Sequence, residues 1–91
     1  GDQGVDLIGV IGNVRLCIQC KRYSKPVGNS AVQQVSAGKV HYNGTHAAVV
    51  TNAGFTSAAR SLAESTEVIL WSTQEFASFV NADGVDDDEG E

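Results

Sequence analysis

The sequence predicts a three-layer α/β/α domain, a β-hairpin followed by βαβα units. Two apolar, strand-like runs flank Gly12-Asn13 near the start of the chain. Short apolar runs then alternate with capped, amphipathic stretches, and neither an internal repeat nor a linker interrupts the chain before Ala82. Strands that alternate with helices imply parallel pairing of the later strands, since each crossover helix returns the chain to the same end of the sheet.

The hairpin runs from Val5 to Cys20, and Gly12 supplies the positive φ of a two-residue primed turn. With Gly12 and Asn13 as the loop, Ile11 pairs with Val14 and the register places Asp6 opposite Gln19. Val5, Leu7, Gly9, Ile11, Val14, Leu16, Ile18 and Cys20 then form one apolar face. Asp6, Ile8, Val10, Arg15, Cys17, Gln19 and Lys21 form the other. A basic stretch from Lys21 to Lys25 ends at Pro26, the only proline.

Helical spacing predicts a helix over 29–41, capped by Asn29 or Ser30. Ala47 to Thr51 reads as a short strand ending in the turn Asn52-Ala53-Gly54-Phe55. Thr56 caps a helix from Ser57 to Glu64, with Ala58, Ala59, Leu62 and Ala63 on its apolar stripe. Val68 to Trp71 is a buried strand with Trp71 in the core. Thr73 caps the last helix, with Glu75 in its first turn and Phe76, Phe79 and Val80 facing inward. The folded core is expected over 1–81 and an acidic, disordered tail over 82–91.

That tail distorts the net charge of -5. Six of the eleven acids (Asp83, Asp86, Asp87, Asp88, Glu89, Glu91) lie in it, and the remaining five face six Lys and Arg. The body therefore carries about +1, which leaves an anionic partner open. Apolar residues make up 42% of the chain, enough for a buried core. No apolar run approaches the roughly 18 residues of a membrane helix, and no signal peptide opens the chain. A soluble, cytoplasmic protein is expected. The absence of methionine suggests a trimmed or processed chain or a fragment. Cys17 and Cys20, three apart on a strand, point to opposite faces and are expected as buried thiols, neither a zinc half-site nor a redox pair.

The chemistry lies at one end of the hairpin. Directly opposed residues have Cβ atoms about 4.5–5.5 Å apart and diagonal ones about 7–8 Å. Asp6, Gln19 and Lys21 thus converge as a carboxylate, a carboxamide and an ammonium on an otherwise apolar ribbon. An exposed Asp6–Lys21 salt bridge is the plainer alternative. A hard divalent cation takes oxygen ligands, which Asp6 and the Gln19 carbonyl supply. Lys21 can orient water or steady charge on a phosphate, and Arg22 and Lys25 add positive charge suited to a phosphate backbone.

At these residues the chain resembles the Mrr-type restriction endonucleases of the PD-(D/E)xK nuclease superfamily. The stretches Gly1-Asp2-Gln3-Gly4-Val5-Asp6, Gln19-Cys20-Lys21-Arg22-Tyr23 and Val49-Val50-Thr51-Asn52-Ala53-Gly54-Phe55-Thr56 look like that family's G-x-D, Q-x-K and strand-end motifs. The resemblance covers about the first eighty residues. It implies a restriction-endonuclease-like core without the family's usual N-terminal helix. It also implies Asp6 as metal ligand, Gln19 in the place of a second acid, and Lys21 as the catalytic lysine. Mg²⁺ is the expected cofactor, with Mn²⁺ an option, and DNA the expected partner. Arg22, Tyr23, Lys25, Lys39 and Asn52 are candidate DNA contacts; Tyr23 could equally cover the core, and His41 and His46 read as surface residues. A homodimer is expected to cover Ile8 and Val10, which a lone ribbon would leave wet. The expected activity is Mg²⁺-dependent hydrolysis of DNA phosphodiester bonds in restriction or genome defence. The alternatives are a DNA-binding module without catalysis, a junction-resolving or repair nuclease on the same fold, and a structural domain.

Overall fold

In the computed structural model, which describes residues 2–83, four strands and three helices form three layers. Strands β1 (Leu7–Ile11) and β2 (Val14–Lys21) form the hairpin. Helix α1 (Asn29–His41) leads to β3 (His46–Thr51), α2 (Ser57–Thr66) to β4 (Ile69–Ser72), and α3 (Thr73–Asp83) follows. The sheet order is β1-β2-β3-β4, with β1 antiparallel to β2 and the other pairs parallel. This is the predicted α/β class. Among the described residues no helix is long and apolar enough to cross a membrane.

Helices pack on both faces of the sheet. Cys17, Ala47 and Val49 pack with Val27, Ala31, Val32 and Val35 on the α1 side and with Ala59 and Ala63 of α2. Leu16, Ile18, Ala48 and Val50 pack on the opposite face against Trp71, Phe76 and Phe79. The Trp71 ring lies 4.8 Å from Phe79 and 5.7 Å from Phe76, centre to centre, which places it against the core as expected. Each buried valine contributes roughly 1.5 kcal/mol of apolar transfer, so the small valines and alanines of β3 stabilise the domain collectively.

The hairpin register is the one the turn dictates, from Ile11↔Val14 to Leu7↔Ile18, around Gly12 at φ +59°. The face assignment needs a correction. The face carrying Ile8, Cys17 and Gln19 is not open: α1 lies over it, and Ile8 packs against the core. Of the two residues expected to be wet, only Val10 is mostly exposed. Val5 also changes sides and is buried with Cys17, Val32 and Val35. The reason is a bend at Asp6, where the chain leaves the ladder and its N–H bonds to the Ile18 carbonyl at 2.8 Å.

Ahead of the bend, a 3₁₀ turn over Asp2–Gly4 lies on α1. Two glycines make the close approach possible. A Cβ on Gly4 (φ +73°) would stand 2.5 Å from the Gln34 carbonyl oxygen, and one on Gly38 would press on the Gln3 carbonyl and on Val5 Cγ2. Capping differs from expectation in two places. Helix α1 starts after Gly28 with no side-chain cap. Helix α3 is capped by Ser72 rather than Thr73, in a capping box: Glu75 N–H donates to Ser72 Oγ (3.0 Å) and Ser72 N–H to Glu75 Oε1 (2.8 Å). Thr56 caps α2 as predicted, accepting from Ala59 N–H at 3.0 Å. Helix α3 runs through Asp83, and the remaining acidic residues expected as a tail lie outside the described ones.

Candidate active site

The candidate site forms where β2 ends. Asp6, at the bend, turns its carboxylate back along β2, and Oδ2 accepts the Cys20 backbone N–H at 2.8 Å. Asp6 therefore meets the peptide that follows Gln19 rather than pairing across a ladder that stops at Leu7↔Ile18. Its carboxyl is held below the ordinary range. Among the described residues, the Cys20 N–H and the Lys21 charge act in that direction, against some desolvation. An ionised carboxylate at this position suits a cation.

Gln19 is the buried member, with only 4% of its surface exposed. Its Nε2 donates to the Gly4 carbonyl and to Gln34 Oε1, both at 3.1 Å. The Gly4 bond settles the amide orientation, since the reverse would set two carbonyl oxygens against each other. Oε1 is then left buried without a hydrogen-bond partner. Such an atom costs about 1–3 kcal/mol in desolvation. Gln34, which holds this arrangement from α1, has no signal in the sequence beyond its helical position. Its involvement appears only once α1 is laid against the 3₁₀ turn.

Lys21, two residues along the same face, is half-buried, and its Nζ stands 5.6 Å from the centre of the Tyr23 ring. Arg22, Tyr23 and Lys25 lie in the exposed loop after β2. That loop is tied to the one following β3. Asn52 Oδ1 accepts from Tyr23 N–H (3.0 Å), and Asn52 Nδ2 donates to the Tyr23 carbonyl (3.1 Å). Val27 N–H bonds to the Gly54 carbonyl and Thr56 N–H to the Val27 carbonyl, closing the seam. The structure thus gathers Asp6, Gln19, Lys21, Arg22, Tyr23 and Asn52 at one end of the sheet.

Lys39 is not part of this cluster. Helix α1 runs back against β2, so its last turn returns to the start of that strand. There Arg15 Nε donates to the Tyr42 carbonyl at 2.9 Å, and Lys39 lies beside Gly44. His41 packs edge-on against Tyr42, and His46 Nδ1 is 2.8 Å from Thr45 Oγ1, both exposed. The cysteines are free: Cys17 is buried as expected, whereas Cys20 is exposed, because it lies on the α3 side where the end of β2 is uncovered. Desolvation pushes both thiols up, and the Asp6 carboxylate adds to the effect at Cys20.

The restriction endonuclease family Mrr_cat matches residues 1–80. The chain belongs to that family. No curated protein matches it, and no solved structure does. Membership of the Mrr restriction endonuclease family makes the chain a member of a nuclease family, one whose substrate is DNA and whose enzymes typically depend on a metal. Among the described residues no three His, Cys, Asp or Glu side chains come together as a metal cluster. The donors that fit a hard cation in this Mrr domain are the ionised Asp6 carboxylate and the unpartnered Gln19 Oε1, both oxygen.

Proposed function

We propose that this chain is the core of a Mg²⁺-dependent endonuclease, with Mn²⁺ able to substitute, that hydrolyses DNA phosphodiester bonds in intracellular restriction or genome defence. The observation that carries the reading is Gln19 Oε1, buried and without a partner next to a bend that presents an ionised aspartate. A carbonyl oxygen left in that state is accounted for if it faces a cation or the water around one. Asp6 and Gln19 would hold the ion. When bound, the metal supplies Lewis-acid stabilisation of phosphate charge and lowers the pKa of a bound water.

The chain's own residues do the rest. Lys21 carries a positive charge to the reacting phosphate, at the strand end shared with both ligands. Arg22 and Lys25 offer the exposed loop to the DNA backbone, contacts that position a duplex without reading its sequence. Both polar groups of Asn52 are committed to the Tyr23 backbone, so its role is to hold this loop.

Titration with Mg²⁺ tests the site directly. NMR signals of residues 4–8 and 18–22 shift before others, together with the Gln34 side-chain amide. Uniform shifts, or none at millimolar metal, would sink the assignment.

A second copy of the chain completes the reading. β1 is an edge strand, and its five residues carry neither a charge nor a proline to discourage pairing. Leu7, Val10 and Ile11 are exposed on it, beside a groove walled by Phe76, Phe79 and Val80. Two copies related by a twofold axis can pair β1 with β1, cover these side chains and present two sites to the two strands of a duplex. A 9.5 kDa monomer in sedimentation equilibrium at micromolar concentration would refute it.

A further inference from the structure

We propose that Tyr23 is the positioning residue of Lys21, and that Asn52 at the end of β3 sets Tyr23. The proposal rests on the reading of Lys21 as the residue that meets the phosphate. The β2–β3 ladder ends at Lys21↔Thr51, so backbone pairing stops at the residue whose side chain needs the most control. A lysine has a flexible four-carbon stem and loses rotamer entropy when it is held in one place. Beyond Lys21 and Thr51, the β2–β3 ladder no longer constrains the chain.

The Asn52 side chain supplies what the backbones no longer can. Its carboxamide takes both backbone groups of Tyr23, N–H at 3.0 Å and C=O at 3.1 Å. This two-point bond imitates a strand partner and carries the pairing past the point where β2 and β3 diverge. It fixes the backbone of Tyr23 two residues beyond Lys21, just past the end of β2. The Tyr23 ring then stands 5.6 Å from Lys21 Nζ, within the range of a cation–π contact. Tyr23 is 47% exposed. An aromatic side chain that only filled the core would be covered, whereas one half in water with an ammonium over it acts as a rest for the charge. The chain of contacts runs from β3 through Asn52 and Tyr23 to Lys21. It gives the lysine side chain a preferred place at the end of β2.

The first experiment needs no activity. In wild-type protein the Lys21 side-chain Hε signals are shifted upfield by the Tyr23 ring current. Tyr23→Phe keeps the shift, Tyr23→Leu abolishes it, and Asn52→Ala reduces it by about half or more while the other lysines stay unchanged. Lys21 signals at ordinary values in the wild type, or unmoved by Tyr23→Leu, overturn the proposal whatever the protein does to DNA. The second experiment uses cleavage of duplex DNA. Tyr23→Leu lowers kcat by roughly tenfold or more, as small displacements of a reacting group do, with KM unchanged within about twofold and Tyr23→Phe restoring the rate. A rise in KM with kcat intact makes Tyr23 a DNA contact and overturns the positioning role. If the wild type shows the Lys21 shift but cleaves nothing, the nuclease reading fails while the Lys21–Tyr23–Asn52 geometry stands.

Discussion

Replacing Gly38 by alanine sets two effects of opposite sign against each other. Gly38 lies inside α1, where alanine is favoured over glycine by about 1 kcal/mol. On propensity alone the variant is stabilised. The packing says otherwise, because the new methyl would stand 2.5 Å from Val5 Cγ2 and closer still to the Gln3 carbonyl oxygen. One neighbour is backbone and the other a buried core side chain, so neither can swing away. Overpacking of this kind costs about 1–3 kcal/mol. Pushing the 3₁₀ turn off α1 also strains the Gly4 carbonyl's bond to Gln19, worth about 1 kcal/mol more. The balance is a loss of about 2 kcal/mol. Trp71, the only tryptophan, packs on the far face of the sheet and reports global unfolding in urea. With a slope of about 1 kcal/mol/M, the midpoint falls by about 2 M. A midpoint that rises would show that the turn does not rest on α1, and the placement of Gly4, Asp6 and Gln19 would lose its support.

Three further outcomes are expected. Cys20, exposed, is alkylated by iodoacetamide in the folded protein while buried Cys17 is protected; because the Cys20 thiol is pushed up, the rate keeps climbing above the ordinary thiol range of about 8.5, and equal labelling of both thiols would contradict the fold. The lowered pKa of Asp6 means that metal binding is fully present above its ordinary value, about 3.9, and is lost as pH falls through the lower folded value. An NMR-monitored Mg²⁺ titration that lost its response already between pH 5 and 6 would count against Asp6 as ligand. Val10→Lys on the exposed edge of β1 disperses the dimer with little cost to the monomer's stability, and an unchanged sedimentation mass would move the interface elsewhere.

The fold was legible wherever one local rule decided it. Gly12-Asn13 dictated the hairpin register, because a two-residue turn admits only one pairing. Thr56 and the alanine stripe behind it located α2, and the spacing between 29 and 41 gave the bounds of α1. What the sequence left out depends on contacts between distant segments. The bend at Asp6 reverses the side on which Val5 lies, and its cause is the seat of the 3₁₀ turn on Gly38, some thirty residues along the chain. Alternation along a strand carries no information about such a departure.

The candidate site divides in the same way. Asp6, Gln19 and Lys21 were legible as polar groups on one end of an apolar ribbon, and the structure gathers them at the end of β2. That Gln19 is buried under α1 with one oxygen unpartnered, and that Gln34 shares its amide, required the helix to be in place. Asn52 and Lys39 look alike as candidate DNA contacts in the sequence. The topology separates them, because a crossover helix carries its last turn to the opposite end of the sheet from the strand end where the site lies.

The most direct test is cleavage of supercoiled plasmid in the presence of Mg²⁺, run alongside DNA affinity for the wild type and Lys21→Ala. Wild-type protein is expected to convert the plasmid to open and linear forms, chelation to stop it, and Lys21→Ala to lower the rate by at least about 10²-fold. Affinity in the variant stays within a fewfold, because Arg22 and Lys25 remain in the exposed loop. Intact DNA binding with no cleavage by the wild type in Mg²⁺ or Mn²⁺ would refute the nuclease reading and leave a DNA-binding module on a nuclease fold.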